Sequence, residues 1–413
     1  MGSMNISKKT LFCLLCLSLL STLLSGCWDD RELSELGITS GSAYDWEDNQ
    51  WKATYQVINP SSGASNTGGS GGGSTSSPPF VTFTVKGRTI MEAVEKSNLT
   101  STREMFFSHS RITVLGESVA RHGVNQLIDL FLRKQDARET VFVFIAKGEA
   151  GDILDQLMQL TKNQGAGIQL MIEQESRLLS YYPGTRMFEL AMALSSESGS
   201  AVLPEILLTG PEIMDETQET GRTDLKTRLA LGRLGVLKGE KLVGWLSQKQ
   251  AFGLSFMTDK IKTATIAFPS KPESGGKPDA SFVLQKSRTT VHPKWEKDHY
   301  VIDMNIKGSG VLTELGSVMD LNERASITEM EQSLEQQVLE LVDNSWKEVR
   351  KLGADVTGFA IKIHRSDRKR FKQIRKDKSW DRVFQEIEIR PHVSIEIERT
   401  GLSNKSFESV HEK

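Results

Sequence analysis

Cysteine is nearly absent. The chain has three in 413 residues, and two of them, Cys13 and Cys16, sit inside an apolar run near the N-terminus. If that run is removed, Cys27 is the one thiol left. No internal disulfide and no cysteine metal cluster can then form, so stability must come from packed cores. An excess of charge is also lacking: 51 Lys and Arg stand against 53 Asp and Glu, a formal net charge of −2. Nothing at whole-chain level points to nucleic acid. Long hydrophobic runs are missing too. The run Leu11 to Leu24 is shorter than the ~20 residues that cross a bilayer as a helix, and no later segment reaches that length.

Catalytic signatures are equally scarce. His109, His122, His292, His299, His364, His392 and His411 are scattered. None lies in a His-Glu-x-x-His pattern or beside cysteine at zinc spacing. His292 and His299 flank Pro293 and Trp295, which suggests a loop. No Gly-x-Ser-x-Gly nucleophile elbow occurs. The Ser/Gly-rich tract 61–79 runs into Pro78-Pro79, not into the helix a phosphate cradle needs. Carboxylates are abundant, but no pair stands out above surface charge. The expectation is a protein without metal or cofactor that is not an enzyme.

What the chain does have begins at its N-terminus. Met-Gly-Ser before Met4 reads as a cloning scar over 1–3. It also starts like a myristoylation signal, but Ile6 stands where Ser or Thr is required. Lys8 and Lys9 then precede the apolar run, as in a secretory signal peptide covering 1–26. The run ends in Leu24-Ser25-Gly26-Cys27. Small residues let the chain enter a peptidase extended, and the thiol is the group that takes a diacylglyceryl thioether. These four residues resemble the lipobox of bacterial lipoproteins, cut between Gly26 and Cys27. Each buried CH₂ of a lipid contributes ~0.8 kcal/mol, and stable attachment needs about two chains. A diacylglyceryl group supplies two.

At 413 residues the chain is too long for one ordinary core, so two or three domains are expected. Strand-like runs alternate with helical spacing over 27–205, apart from the flexible Ser/Gly loop 61–79. Thr89-x-x-Glu92 opens a helix to about Ser97. Val119 to Leu132 has helical spacing, Thr140 to Ala146 reads as a strand, and Ile153, Leu154, Leu157 and Leu160 mark another helix. A smaller unit, 206–275, contains a hairpin signal at Lys238-Gly239-Glu240-Lys241, and Ser270 to Ala280 reads as a linker. The last domain, 276–403, is the clearest. Tyr300, Ile302, Met304 and Ile306 alternate as in a half-buried strand. Ser326-x-x-Glu329 offers a capping box, and a helical stripe runs from Ile327 to Leu352, with Gly353 as its stop. Phe359, Ile361 and Ile363 read as one strand, and Val393, Ile395 and Ile397 as another. A polar tail, 404–413, follows. The fold class is α+β, with three mixed α/β domains after the cleaved leader.

Four stretches carry a family resemblance: GCWDDRELSELGITSG at 26–41, SPPFVTFTVKGRTIMEAVEK at 77–96, HSRITVLGESVARHGVNQLIDLFLRKQDARETVFVFIAKGEAGDIL at 109–154, and the run from about Glu329 to Leu402. Together, and in this order, they resemble the Ger(x)C family, lipoprotein C subunits of spore germinant receptors. The middle, roughly 205–325, is less distinctive. The resemblance implies lipid attachment at Cys27 on the outer surface of the spore inner membrane. It also implies two membrane-embedded partners, the A and B subunits. Trp28, Asp29, Arg31 and Glu32 match the family's post-anchor run. They form either a membrane or partner contact or an ordinary tether.

Lys362 to Arg382 holds ten Lys or Arg against Asp367, Asp377 and Asp381. This segment is either a solvated helix face or a contact with anionic lipid, where each basic residue is worth about 1 kcal/mol. The surrounding chain is acidic: without the leader it is formally −4 (49 basic against 53 acidic). A competing reading is a solute-binding lipoprotein that delivers a ligand to a transporter. Such proteins have two similar lobes, and no internal repeat is visible.

Overall fold

The computed structural model describes residues 32–60, 78–158, 160–161, 163–210, 227–271, 276–377 and 379–399, with Thr10, Phe12, Cys13 and Ser18. A 3₁₀ turn, Leu33–Glu35, leads into β1 (Leu36–Glu47). β2 (Gln50–Ile58) and β3 (Phe80–Gly87) complete an antiparallel meander. Helix α1 (Ile90–Ser97) and the short β4 (Glu104–Phe106) precede β5 (Ile112–Gly116). Helices α2 (Glu117–His122) and α3 (Asn125–Arg133) lead to β6 (Phe142–Ala146). Helices α4 (Ala150–Asp155), α5 (Gln164–Leu178) and α6 (Met187–Leu194) precede β7 (Ser200–Leu208). The hairpin β8 (Leu229–Lys238) and β9 (Lys241–Leu246) follows, then α7 (Gln248–Met257) and β10 (Ala264–Phe268). The rest is β11 (Ala280–Glu296), β12 (His299–Leu315), α8 (Arg324–Leu352), α9 (Phe359–Ser366), α10 (Arg368–Asp377), α11 (Trp380–Glu386) and β13 (Glu388–Arg399).

The first nine strands form one sheet, in the order β3-β2-β1-β5-β6-β7-β8-β9, with β4 beside the start of β1. β1, β5, β6 and β7 are mutually parallel, so their N-terminal ends share one end of the sheet. Strands of a parallel sheet covered on both faces read as continuous apolar runs. β5 and β6 are accordingly buried at every residue. Phe142 and Phe144 of β6 join one core with Ile168 and Ile172 of α5. Val143 and Ile145 join the opposite core with Leu127 of α3 and Leu190 of α6. The second sheet is β10-β11-β12-β13, antiparallel except for the last pair. Here the burial alternates. Tyr300, Ile302, Met304 and Ile306 face Met330, Leu334 and Val338 of α8 in one core. The edge strand β13 is blunted by α8. Glu335 Oε1 accepts from Ile395 N–H at 3.0 Å and Glu331 Oε1 from Ile397 N–H at 2.9 Å. Bonds to an edge strand's free N–H groups remove a template for pairing with another chain.

The α+β class expected from the sequence is the class observed. The boundary expected at 205/206 falls inside β7, and residues 206–275 are shared between the sheets. β8 and β9 extend the first sheet, α7 packs on α8, and β10 opens the second. Ser270 and Asp279 hydrogen-bond across the stretch read as a linker, closing a hairpin between β10 and β11. Hydrogen bonds to distant strands leave no mark in local composition.

Several local readings change. Residues 359–363 form a helix, not a strand. The Phe359–Ile363 pair is spaced for a helix face as well as for a strand, and the Asp355 carboxylate decides between them. It accepts from Phe359 N–H at 3.0 Å and Ala360 N–H at 2.7 Å, capping α9. The helix expected from Val119 to Leu132 is broken into α2 and α3 at Gly123, whose φ of 142° only glycine adopts freely. The helix expected to reach Leu160 ends at Asp155, and Leu160 is exposed. α8 starts before the Ser326 capping box. Its N-cap is Glu323, whose carbonyl already accepts from Ser326 N–H. Its stop is Gly353, with φ 64° and its N–H on the Val349 and Arg350 carbonyls. The capping box expected at Thr89 is half formed: Thr89 Oγ1 accepts from Glu92 N–H at 3.1 Å, but the Glu92 carboxylate accepts from Arg88 N–H at 2.7 Å and not from Thr89. His292 and His299 lie on β11 and β12, not in a loop. Lys297 and Asp298, both at positive φ, make the tight turn between them.

Candidate functional site

The predicted anchor residues Gly26, Cys27, Trp28, Asp29 and Arg31 lie outside the described residues. Glu32 is described. It is exposed and accepts a hydrogen bond from Ser34 Oγ at 3.2 Å. Four residues later β1 begins at Leu36 and pairs in parallel with β4 through Leu36, Gly37 and Ile38. A chain entering from Cys27 therefore joins the first sheet at the shared N-terminal end of its parallel strands.

The basic segment 362–382 spans three short helices. Arg365, Arg368, Lys369, Lys372, Arg375 and Lys376 are exposed. They surround an inner stripe formed by Ile363, Phe371 and Ile374. Arg370 is held by Asp367 at 3.1 Å and lies over the Trp295 ring. Arg382 pairs with Glu386 at 3.4 Å. Lys362 is half-buried, and desolvation pushes its pKa down. Lys378 lies outside the described residues. The side chains of the exposed cations face solvent.

A second cationic group is concave. Arg111, Arg138 and Arg186 line a cavity of about 120 Å³ with His109, Thr140 and Gln169. Arg186 also lines a neighbouring cavity of about 480 Å³, whose wall includes Phe142, Ile172, Tyr182, Glu173 and Lys262.

Among the buried carboxylates, Asp355 ties distant segments together. Asp355 accepts from Ser198 Oγ at 2.9 Å as well as from α9, joining the segment before β7 to the C-terminal helices. Glu175 stands at the C-terminal end of α5. Burial pushes its carboxyl up to about 7, although Tyr181 N–H at 2.6 Å and Tyr182 N–H at 3.0 Å both donate to Oε1 and favour the charge. Its Oε2 is buried without a partner. Among the described residues no group of three His, Cys, Asp or Glu is placed to hold a metal ion. Among them, too, no helix is long and apolar enough to cross a membrane.

Comparison with known proteins gives this architecture a family. Residues 29–208 match the spore germination protein N-terminal domain, and residues 233–401 match the spore germination B3/GerAC-like C-terminal domain. The chain belongs to the Ger(x)C family. Within that family, spore germination protein KC of Bacillus subtilis (strain 168) is 26% identical over 401 residues, covering 95% of this chain and 97% of its own. Spore germination protein B3 of the same organism is 27% identical over 308 residues, covering 70% and 71%. The crystal structure of the GerBC protein matches with a TM-score of 0.55 at 19% identity, over 89% of this chain and 99% of its own. That likeness shows a shared fold. The first Ger(x)C domain ends at the last residue of β7, and the second begins inside β8.

Sequence reasoning singled out the basic segment but missed Arg111, Arg138 and Arg186. They are far apart in the chain, and none sits in a charge run. Their one local sign is position: Arg111 directly precedes β5 and Arg186 directly precedes α6.

Proposed function

We propose that this chain is the lipid-anchored C subunit of a spore germinant receptor. It acts without chemistry of its own, as an assembly or signalling partner of the membrane-embedded A and B subunits, in nutrient-triggered germination. The observation that carries the reading is the order of parts. Two Ger(x)C domains over 29–208 and 233–401 directly follow an apolar run that ends in Gly26-Cys27. A diacylglyceryl group on Cys27 holds the folded part at the outer surface of the spore inner membrane. Two buried acyl chains, at roughly 0.8 kcal/mol per CH₂, are enough for stable attachment. The basic face of α10 adds contact with anionic lipid, at about 1 kcal/mol per residue near the surface.

Co-purification from detergent-solubilised spore membranes tests the reading. The chain is expected to bring down two multispan proteins. A strain lacking the chain and its close paralogues is expected to lose nutrient germination. Recovery of the chain alone, with normal germination in that strain, contradicts the reading.

A further inference from the structure

We propose that the cavity framed by Arg111, Arg138 and Arg186 binds a phosphate group, carried by a lipid headgroup or by a small phosphorylated solute. Three observations carry this. The first is unpaired charge. Several arginines of the chain meet carboxylates: Arg121 with Glu117, Arg133 with Asp129, Arg233 with Glu205 and Arg390 with Glu296. Among the described residues, Arg111, Arg138 and Arg186 have no such partner. Arg111 donates to the neutral Gln169 at 3.2 Å, and Arg186 lies over the Phe142 ring. His109, Ser110, Thr140 and Gln169 complete the lining, and none of these seven residues is an acid.

The second is preorganisation. Backbone bonds knit the three arginine-bearing segments together. Phe142 N–H donates to the Arg111 carbonyl at 3.1 Å, Val143 N–H to Thr185 at 2.9 Å, and Met187 N–H to Val141 at 3.0 Å. The guanidinium groups are thus brought to one cavity by the sheet itself. A guanidinium offers a rigid fork of donors that matches phosphate oxygens in pairs. A carboxylate has two oxygens and one charge, which suits one fork. A phosphate monoester has three terminal oxygens and a charge of about −1.5 to −2, which suits three.

The third is placement. Arg111 N–H donates to the Ser40 carbonyl of β1 at 2.9 Å. The cavity therefore lies beside Ser40, the fifth residue of β1 and thirteen residues after Cys27. Thirteen extended residues reach at most ~45 Å. If Cys27 carries the lipid, the cavity lies within reach of phosphate headgroups. Only this membrane arm rests on the anchor reading; the phosphate site stands on the cavity.

The test uses the chain from Trp28 to Lys413, unlipidated, at low ionic strength. Calorimetric titration with inorganic phosphate is expected to show saturable binding. Arg111→Gln and Arg138→Gln, both at exposed positions, are each expected to raise Kd at least ten-fold. The double variant is expected to abolish binding while unfolding at the same temperature as the parent. Lys372→Gln, on the exposed helix α10, is expected to leave Kd unchanged. Absence of saturable binding, or equal Kd in the parent and the double variant, overturns the proposal. Flotation with vesicles of phosphatidylcholine and phosphatidic acid, whose headgroup is a phosphate monoester, identifies the source. A loss of vesicle binding in the double variant, and competition by free phosphate, assign a headgroup. Unchanged vesicle binding beside lost phosphate binding assigns a soluble phosphate.

Discussion

The two sheets of this protein bury their strands in different ways. The nine-stranded sheet is covered on both faces, and its central strands are apolar throughout: ITVLG in β5 and FVFIA in β6. The four-stranded sheet is covered by α8 on one face, and its strands alternate. Double coverage fixes the ends of the parallel strands and leaves the sheet's rim for function. β1 begins at that rim, and the three arginines Arg111, Arg138 and Arg186 converge beside it. The C-terminal unit instead displays its cations on an open helical face. Equal charge does not make equal sites: arginines gathered around a cavity can hold one ligand, while cations spread over an exposed helix meet a charged surface.

The largest expected effect separates the two kinds of strand. Phe144→Ala, fully buried in β6, is expected to cost about 3–5 kcal/mol. Lys307→Ala, exposed on β12, is expected to change stability by no more than about 0.5 kcal/mol. Urea denaturation measures both. Similar losses for the pair break the comparison.

The seam between the sheets comes next. Asp355 accepts from two backbone N–H groups, from Thr357 Oγ1 and from Ser198 Oγ. Asp355→Ala strands these buried donors, at roughly 2–4 kcal/mol. It is expected to split the single unfolding transition into two by calorimetry, with the C-terminal helices melting first. A loss below about 1 kcal/mol contradicts the assignment of this carboxylate as the joint.

Glu175, at the end of α5, gives stability a pH dependence. Its folded pKa, about 7, lies above the ordinary carboxylate value of 4.5. The folded state thus holds a proton that the unfolded state has lost. Stability from this group is fully present below pH ~4.5 and is lost as pH rises through 7. The loss is roughly 1–3 kcal/mol, toward the lower end because the carboxyl keeps some contact with solvent. Glu175→Gln is expected to match the parent at pH 5 and to melt higher at pH 8. Parallel melting profiles across that range count against it.

The smallest effect on stability belongs to the exposed cations of α10. Lys369→Gln with Lys372→Gln is expected to leave stability within about 0.5 kcal/mol. Binding to phosphatidylglycerol vesicles is expected to fall about thirty-fold, from about 1 kcal/mol per lost charge. Unchanged vesicle binding removes α10 from the membrane contact.

Legibility in the sequence follows the same division. Alternation in Tyr300 to Ile306 and the stripe of α8 are periodic, so both were readable. The hairpin at Gly239 and the cap at Thr89 carry local turn and cap chemistry. The apolar runs of β5 and β6 were readable as strands but not as neighbours. Their pairing, and that of β7 with β8, is set by contacts distant in sequence. Phe359 to Ile363 failed because the same apolar spacing serves both periods. The Asp355 cap four residues upstream held the answer. The convergence of Arg111, Arg138 and Arg186 depends wholly on the parallel register, which no local pattern encodes. The family was legible because four long stretches keep their order along the chain.

The central claim is that lipid on Cys27 holds a two-sheet accessory subunit beside membrane partners. Spores carrying Cys27→Ala test it most directly, by fractionation and by germination in nutrient. The account predicts that the chain leaves the inner-membrane fraction and that nutrient germination falls at least ten-fold. A Cys27→Ala chain that stays with the membrane in spores that germinate normally would contradict it.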